Sequence, residues 1–425
     1  MVETIRNAWK IKELRNKILF TLMIIVVFRV GCAIPVPFLN PAAIQAFLQA
    51  NSDTIFGYFD MLTGGAFAQA TLFAMSITPY INASIIIQLL TVAIPALERM
   101  SKDGDEGRKK LTRITRYVTI ALGMVQGFGY YAVLNSYGAV SEKGFFPGLV
   151  IVATFTAGTA LLMWLADQVN DKGIGNGISI ILFAGIIARA IPSIQSLIAY
   201  MQVGTLNIIG VIALLVGALA IVAFVVWITN AERRIPIQYA KRVVGRKMYG
   251  GQSSHLPIKV NMTGVLPIIF ASAIVSLPAT IVAFLPNKPT TGFWAGFLNM
   301  FSTSSPVYAA LYFILIILFS YFYVAIQFNP VEMSNNIKKN GGFIPGIRPG
   351  KPTSDFIAKV TSKITLFGAL FLAIIAAIPI ILTNFTSINL SFSGTSVLIL
   401  VGVALETVKQ MESQMLMRHY KGFLE

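Results

Sequence analysis

Acid–base or metal chemistry needs histidine, cysteine or carboxylate groups at ligand or hydrogen-bond spacing, and this sequence does not set them so. Its two histidines, His255 and His419, both fall in polar segments. No His-Glu-x-x-His pair is present for zinc, and no histidine lies within an apolar run to activate a serine. The single cysteine, Cys32, excludes an intrachain disulfide. The stretch 171-DKGIGNG-177 has the glycines of a phosphate cradle but not the Lys-Ser/Thr ending that would complete one. Arg29, Asp167 and Arg189 lie at or near the edges of apolar runs, where snorkelling or end-capping is the expected explanation. No carboxylate cluster marks a proton or sodium relay. The sequence thus carries neither a reaction centre nor an energy source: no catalytic residue, metal site or cofactor is expected.

The spacing that does stand out is a repeat. In 79-PYINASIII-87 and 267-PIIFASAIV-275, the pairs Pro79/Pro267, Ile81/Ile269, Ala83/Ala271, Ser84/Ser272 and Ile86/Ile274 match. Ordinary membrane-helix packing would account for such a match, since proline and small residues narrow a helix and let neighbours approach. The alternative is a pair of hinges in two related halves, with a working site at their interface near the bilayer midplane.

The elements that must position these stretches are membrane spans. The chain of 425 residues is 56% hydrophobic and 12% charged, with a mean hydropathy of +0.73. So few charges could not cover a soluble protein of that composition. Apolar runs near the ~20 residues needed to cross the hydrocarbon core fall at 18–35, 69–94, 114–134, 148–167, 177–198, 207–229, 263–285, 308–328, 364–383 and 394–411. The tenth is the shortest, running from Val397 to Leu405 before Glu406. The first resembles a signal peptide, and 30-VGC-32 a lipoprotein site. It lacks a small-residue cleavage signature, however, and contains Arg29, so it reads as a span.

Charge fixes the orientation. All but four of the 33 lysines and arginines fall on one side when the chain is threaded through ten spans. They occupy the N-terminus, the loops 99–116, 233–259 and 338–363, Lys172 and the tail; the exceptions are Lys143, Lys288, Arg29 and Arg189. The positive-inside bias makes that side cytosolic, with both termini there. The net charge of +16 would suit nucleic acid if it formed one patch. Here it clusters at span ends, where anionic lipid and cytosolic proteins are the counterparts, so no specific nucleic-acid sequence is expected as a partner. The expected architecture is an all-α polytopic membrane protein of two five-span halves, 1–198 and 199–425, the second inverted relative to the first.

Three connecting segments are unusual. 55-IFGYFDMLTGGAFA-68 is too short to cross and too apolar for an ordinary loop, and Gly64-Gly65 breaks it. It is either an extracytoplasmic surface helix or a segment folded back into the bundle, where irregular backbone at membrane depth is tolerated. The basic loops 230–262 and 329–362 carry turn signals in 249-YGGQ-252 and 340-NGGFIPGIRPGKP-352. They are either solvated topogenic loops or a docking surface for a cytosolic partner.

At this point the sequence closely resembles the SecY family, the channel subunits of the bacterial protein-export translocon. The resemblance runs from 20-FTLMIIVVFRVGCAIPVP-37 to 418-RHYKGFL-424. Its most specific stretches are 79-PYINASIIIQLL-90, 173-GIGNGISI-180, 239-YAKR-242, 255-HLPIKVNMTGVLPIIFA-271 and 346-GIRPG-350. It implies a clamshell channel in the bacterial cytoplasmic membrane that passes unfolded preproteins and releases spans sideways into lipid. By position, the pore ring would be Ile77, Ile81, Ile178, Leu182, Ile269 and Ile399, with Leu182 where relatives often carry Ile. The plug would be 55–67, including Phe56, Tyr58, Phe59, Met61, Leu62, Gly64, Gly65 and Phe67. The lateral gate, between spans two and three and spans seven and eight, would involve Asn82, Gln88, Gln126 and Ser272. Implied partners are SecE-like and SecG-like small subunits, a SecA-type ATPase or a ribosome, and preprotein signal sequences. Lys241, Arg242, Arg246, Lys247 and Arg348 are the candidate docking contacts.

The physics of such a pore suits the residues. A channel for any unfolded sequence cannot bind side chains specifically, yet must block ions; a narrow apolar ring offers no hydrogen-bonding partner and dewets. A secondary transporter of a small solute is the competing class, and it would need polar or charged groups where this chain has isoleucines. An insertase resembling YidC would lack ten spans and paired long loops.

Overall fold

The computed structural model describes residues 2–50, 60, 63–142, 144–202, 207–239, 242–244, 247–249, 253–283, 305–386 and 394–421. Among them the bundle is helical, as lipid demands of any backbone that crosses it. In the first half of the chain α1 (Val2–Lys10) precedes α2 (Lys12–Gly31), α3 (Pro41–Ala50), α4 (Thr78–Ala93), α5 (Pro95–Lys102), α6 (Gly104–Ser136), α7 (Phe145–Lys172), α8 (Gly177–Ala188) and α9 (Ala190–Gln202). The second half contains α10 (Ile208–Asn230), α11 (Leu266–Ala283), α12 (Pro306–Gln327), α13 (Pro330–Lys339), α14 (Lys351–Thr386) and α15 (Gly394–Lys421). Among the described residues, six helical stretches are long and apolar enough to cross a membrane, or seven if the bent pair α4–α5 is one span. The expected tenth span lies in α15, with Glu406 inside the helix.

Span two differs from the expectation. Its helix starts at Thr78, not near 69, and residues 69–77 run as turns. Ala70 and Ser76 both have φ of 51°, which no α-helix allows. Pro79 stands at the second helical position, where a missing N–H costs nothing, so it opens the helix rather than continuing one. The non-helical backbone is satisfied by the end of span one: Leu72 N–H donates to Ile34 O at 2.9 Å and Val36 N–H to Ala70 O at 2.8 Å. The same helix ends at Ala93 because Ile94 precedes Pro95 and is driven extended (φ −109°, ψ 113°). The chain then turns through 102° into α5.

Other spans overrun the bilayer. α6 has 33 residues, about 50 Å at 1.5 Å per residue, against a hydrocarbon core of ~30 Å. Its Gly123 and Gly127 let α6 sit close on Thr156 and Val152 of α7, the packing role expected of a GxxxG pair. α10 stands apart, with Leu219 69% exposed and Ile209 and Trp227 similarly bare.

The basic loops are not simple loops. β1 (Glu232–Tyr239) pairs antiparallel with β4 (Ser253–Lys259), Ile235 opposite Leu256, and β2 (Arg242–Val244) with β3 (Lys247–Tyr249) between them. β5 (Gly342–Phe343), from the other loop, joins β1 through Gln238 and Phe343. The sequence reading had no strands here; a three-stranded sheet, β4-β1-β5, and the separate β2–β3 hairpin are the exceptions to an all-α chain among the described residues. Ile235 and Ile237 point inward from β1 to meet Ile258, Ile337, Ile344 and Ile357, so the two loops share one apolar core.

Candidate functional site

The first turn of α8 shows how one ring segment is placed. Asn176 Oδ1 accepts from Ile178 N at 3.1 Å and Ser179 N at 3.3 Å, capping the helix. Gly177 lets α8 touch α7: a Cβ there would lie 1.9 Å from the Ala166 carbonyl oxygen. Ile178 and Leu182 then share a face four residues apart, as do Ile77 and Ile81 at the start of α4.

The structure brings all six expected ring residues into one apolar cluster. Ile77, Leu182 and Ile399 are buried in it, and Ile81, Ile178 and Ile269 are half-buried against it. They come from α8, α11, α15 and the start of α4. Phe28, Phe73, Leu162 and Leu165 back the cluster.

The glycine-broken segment lies only partly within the described residues; Phe56, Tyr58, Phe59, Met61 and Leu62 fall outside them. The described part is inside the protein, which excludes a surface helix for it. Thr63, Ala66 and Phe67 are buried, and the Phe67 ring lies 5.3 Å from Tyr130. Gly64 and Gly65 take φ of 67° and 91°, the left-handed region that glycine enters freely. Gly64 also sits so close to α8 that a Cβ would be 2.6 Å from the Gly185 carbonyl oxygen.

Each of the charged residues near span ends has a partner within the protein, and Arg189 also caps the C-terminus of α8. Arg29 Nη2 donates to Ala184 O at 3.0 Å, and its guanidinium lies 5.5 Å from the Phe28 ring centre. Arg189 forms an ion pair with Asp60 in the segment just described. Asp167 accepts from Arg116 Nη2 at 2.7 Å, joining α7 to α6. Asp60 was missed altogether. The available signal was a carboxylate inside an apolar stretch and an arginine just after a span.

Among the lateral-gate candidates, Gln88 on α4 lies beside Tyr323 on α12. Ser272 is buried, its hydroxyl donating to Ile269 O at 2.8 Å. Asn82 and Gln126 are half-buried on α4 and α6. Ile85 of α4 shares a buried apolar cluster with Ile268 and Ala271 of α11 and Phe319 of α12.

Of the docking candidates, Lys241 and Arg246 lie outside the described residues, while Arg242 and Lys247 belong to the β2–β3 hairpin. Arg348 is exposed in a pinned turn. Gly346 and Gly350 have φ of 80° and 101°, Thr353 Oγ1 donates to Arg348 O at 2.8 Å, and Ser334 Oγ to Gly350 O at 2.8 Å.

Comparison with known proteins matches this arrangement. The SecY family pattern covers residues 71–408. The chain is 45% identical to the protein translocase subunit SecY of Streptomyces scabiei, over all of both chains. Two solved structures share the fold. One is a protein-conducting channel, at 22% identity and a TM-score of 0.69, with 94% of this chain and 92% of that one covered. The other is Sec61 in the canine ribosome–channel complex from the endoplasmic reticulum, at 20% identity and 0.64 over the same shares. With its apolar helices and its full-length likeness to a curated translocase subunit, this multi-pass membrane chain belongs to the SecY family.

Proposed function

We propose that this chain is a protein-conducting channel of the bacterial cytoplasmic membrane, passing unfolded preproteins and releasing apolar segments sideways into lipid. The observation that carries the reading is the gathering of Ile77, Ile81, Ile178, Leu182, Ile269 and Ile399, from four separate elements, into one apolar cluster. Such a waist grips no particular side chain and excludes hydrated ions. A small-solute transporter would need polar or charged groups at the positions these six apolar side chains occupy.

Around it, residues 55–67 act as the plug and the two halves, 1–198 and 199–425, as the shells of a clamshell. Ten spans leave both termini cytosolic, in keeping with their basic charge. The shells part between α4 and α12, where Gln88 lies beside Tyr323 and the apolar cluster that includes Ile85 would yield. An apolar signal sequence then partitions into lipid, at ~25 cal/mol per Å² removed from water. Force comes from a separate partner, a SecA-type ATPase or a ribosome, docking on the joined basic loops through Lys241, Arg242, Arg246, Lys247 and Arg348. SecE-like and SecG-like subunits complete the membrane complex.

Reconstitution tests this reading. Vesicles containing the chain with its small subunits, given a SecA-type motor and ATP, should shelter a preprotein from added protease. Preprotein that stays protease-accessible while the assembled complex takes up a small solute would overturn it.

A further inference from the structure

One buried charge pair takes no part in the pore as described above. The Asp60 carboxylate is 8% exposed and its partner Arg189 guanidinium 22%. Asp60 also organises the turns that follow it. Its Oδ1 accepts from Ala68 N at 2.8 Å, and its carbonyl accepts from Gly65 N at 2.9 Å and Thr63 Oγ1 at 2.9 Å. Asp60 and residues 63–68 are thereby tied into one unit around a single residue, through its carboxylate and its main-chain carbonyl.

That unit rests on α8 and its C-cap at two points, Gly64 against Gly185 and Asp60 against the C-cap residue Arg189. The positions matter. Ile178, Leu182, Gly185 and Arg189 follow one another at steps of four, three and four residues, the spacing of a single helical stripe. The face of α8 that supplies two ring residues therefore also carries the Gly185 contact, and the C-cap residue Arg189, still in helical conformation, continues that face to the second. Any outward movement of α8 that widens the ring draws Arg189 away from Asp60.

We infer that Asp60 and Arg189 are a latch that couples the ring to the seal: the pair holds the 63–68 turns shut while the ring is narrow and parts when α8 moves. The inference rests on the plug reading of 55–67. The chemistry suits a reversible catch. A charge pair in a dry site attracts strongly, and admitting water raises the local dielectric and weakens it. Arg189 Nε is buried without a partner among the described residues, so the closed pair is incompletely satisfied. Hydration on opening would compensate both charges.

The test measures resting openings in planar bilayers, using the chain with its small subunits. The variants are Asp60→Asn, Arg189→Gln, both together, the exchange Asp60→Arg with Arg189→Asp, and deletion of 55–67. Removing either partner should raise the open-to-closed ratio on the order of a hundredfold, because it leaves the other charge buried and unpaired. The double neutral variant should open no more than either single one, and the exchange should close the channel most of the way back. If the exchange fails to assemble, non-additivity of the neutral pair decides. A leaky deletion alongside wild-type closure of both single variants overturns the latch and leaves the plug reading standing. So does strict additivity of leaky single variants, or an assembled exchange that stays as open as they are. A deletion that stays sealed overturns both.

Discussion

Ile399→Asn is the most informative single perturbation of the waist. Ile399 is 3% exposed, packed among Ile77, Leu182 and Val403. Losing its buried side chain costs about 2 kcal/mol of apolar burial. The new amide, with no partner in an all-apolar cluster, costs about 1–3 kcal/mol more. The two parts act differently on gating. Lost burial weakens the fold as a whole, whereas the stranded amide is relieved when the waist opens and water enters. Only the second part shifts the closed–open balance, by about 5- to 150-fold. Ile399→Val removes one methylene and adds no polar group, so it should change stability slightly and resting openings hardly at all. Ile81 is half-buried, so Ile81→Asn should open the channel less than Ile399→Asn. The assay is resting single-channel conductance in planar bilayers, with acceptance of weakened signal sequences as a second readout. Unchanged openings in assembled Ile399→Asn, or equal openings for Asn and Val, would refute the reasoning.

Two further predictions concern the loops and α8. Arg348→Lys keeps the charge but removes the planar fork of five donors; ATP-driven transport should fall sharply while the complex still assembles, and wild-type transport by both Lys and Glu variants would exclude a motor contact. Asn176→Ala removes the α8 cap, costing about 1 kcal/mol, whereas Gly177→Ala drives a methyl into the Ala166 carbonyl and should cost more; thermal denaturation in detergent giving the reverse order would contradict the packing described.

Much of the architecture was legible because lipid leaves the chain few options. Long apolar runs bounded by basic residues must be helices, and even the weak run from Val397 to Leu405 proved to lie in one. Hydropathy failed where backbone at membrane depth is supported by another part of the chain. Residues 69–77 are as apolar as a helix, but they hydrogen-bond to the 34–36 segment. Thr78, standing before Pro79, was the available sign that the helix starts there. β1 was missed because its charges drew the reading to topology. Its alternation, Arg234 and Pro236 outward with Ile235 and Ile237 inward, has the period of a strand. The ring residues could be named from their match to a family pattern, whereas their meeting in one cluster is tertiary information. The Asp60–Arg189 pair joins residues far apart in sequence, and nothing local to either predicts the other.

The central claim is that a polypeptide passes between the helices bearing the apolar ring. A photoreactive side chain at Ile399, with preprotein stalled midway by a folded domain at its end, tests this directly. The same probe at Leu219, on the exposed face of α10, serves as the control. The account predicts a strong crosslink to the stalled preprotein from position 399 and none from position 219. Equal labelling from both positions, or none from 399 while transport remains intact, would contradict it.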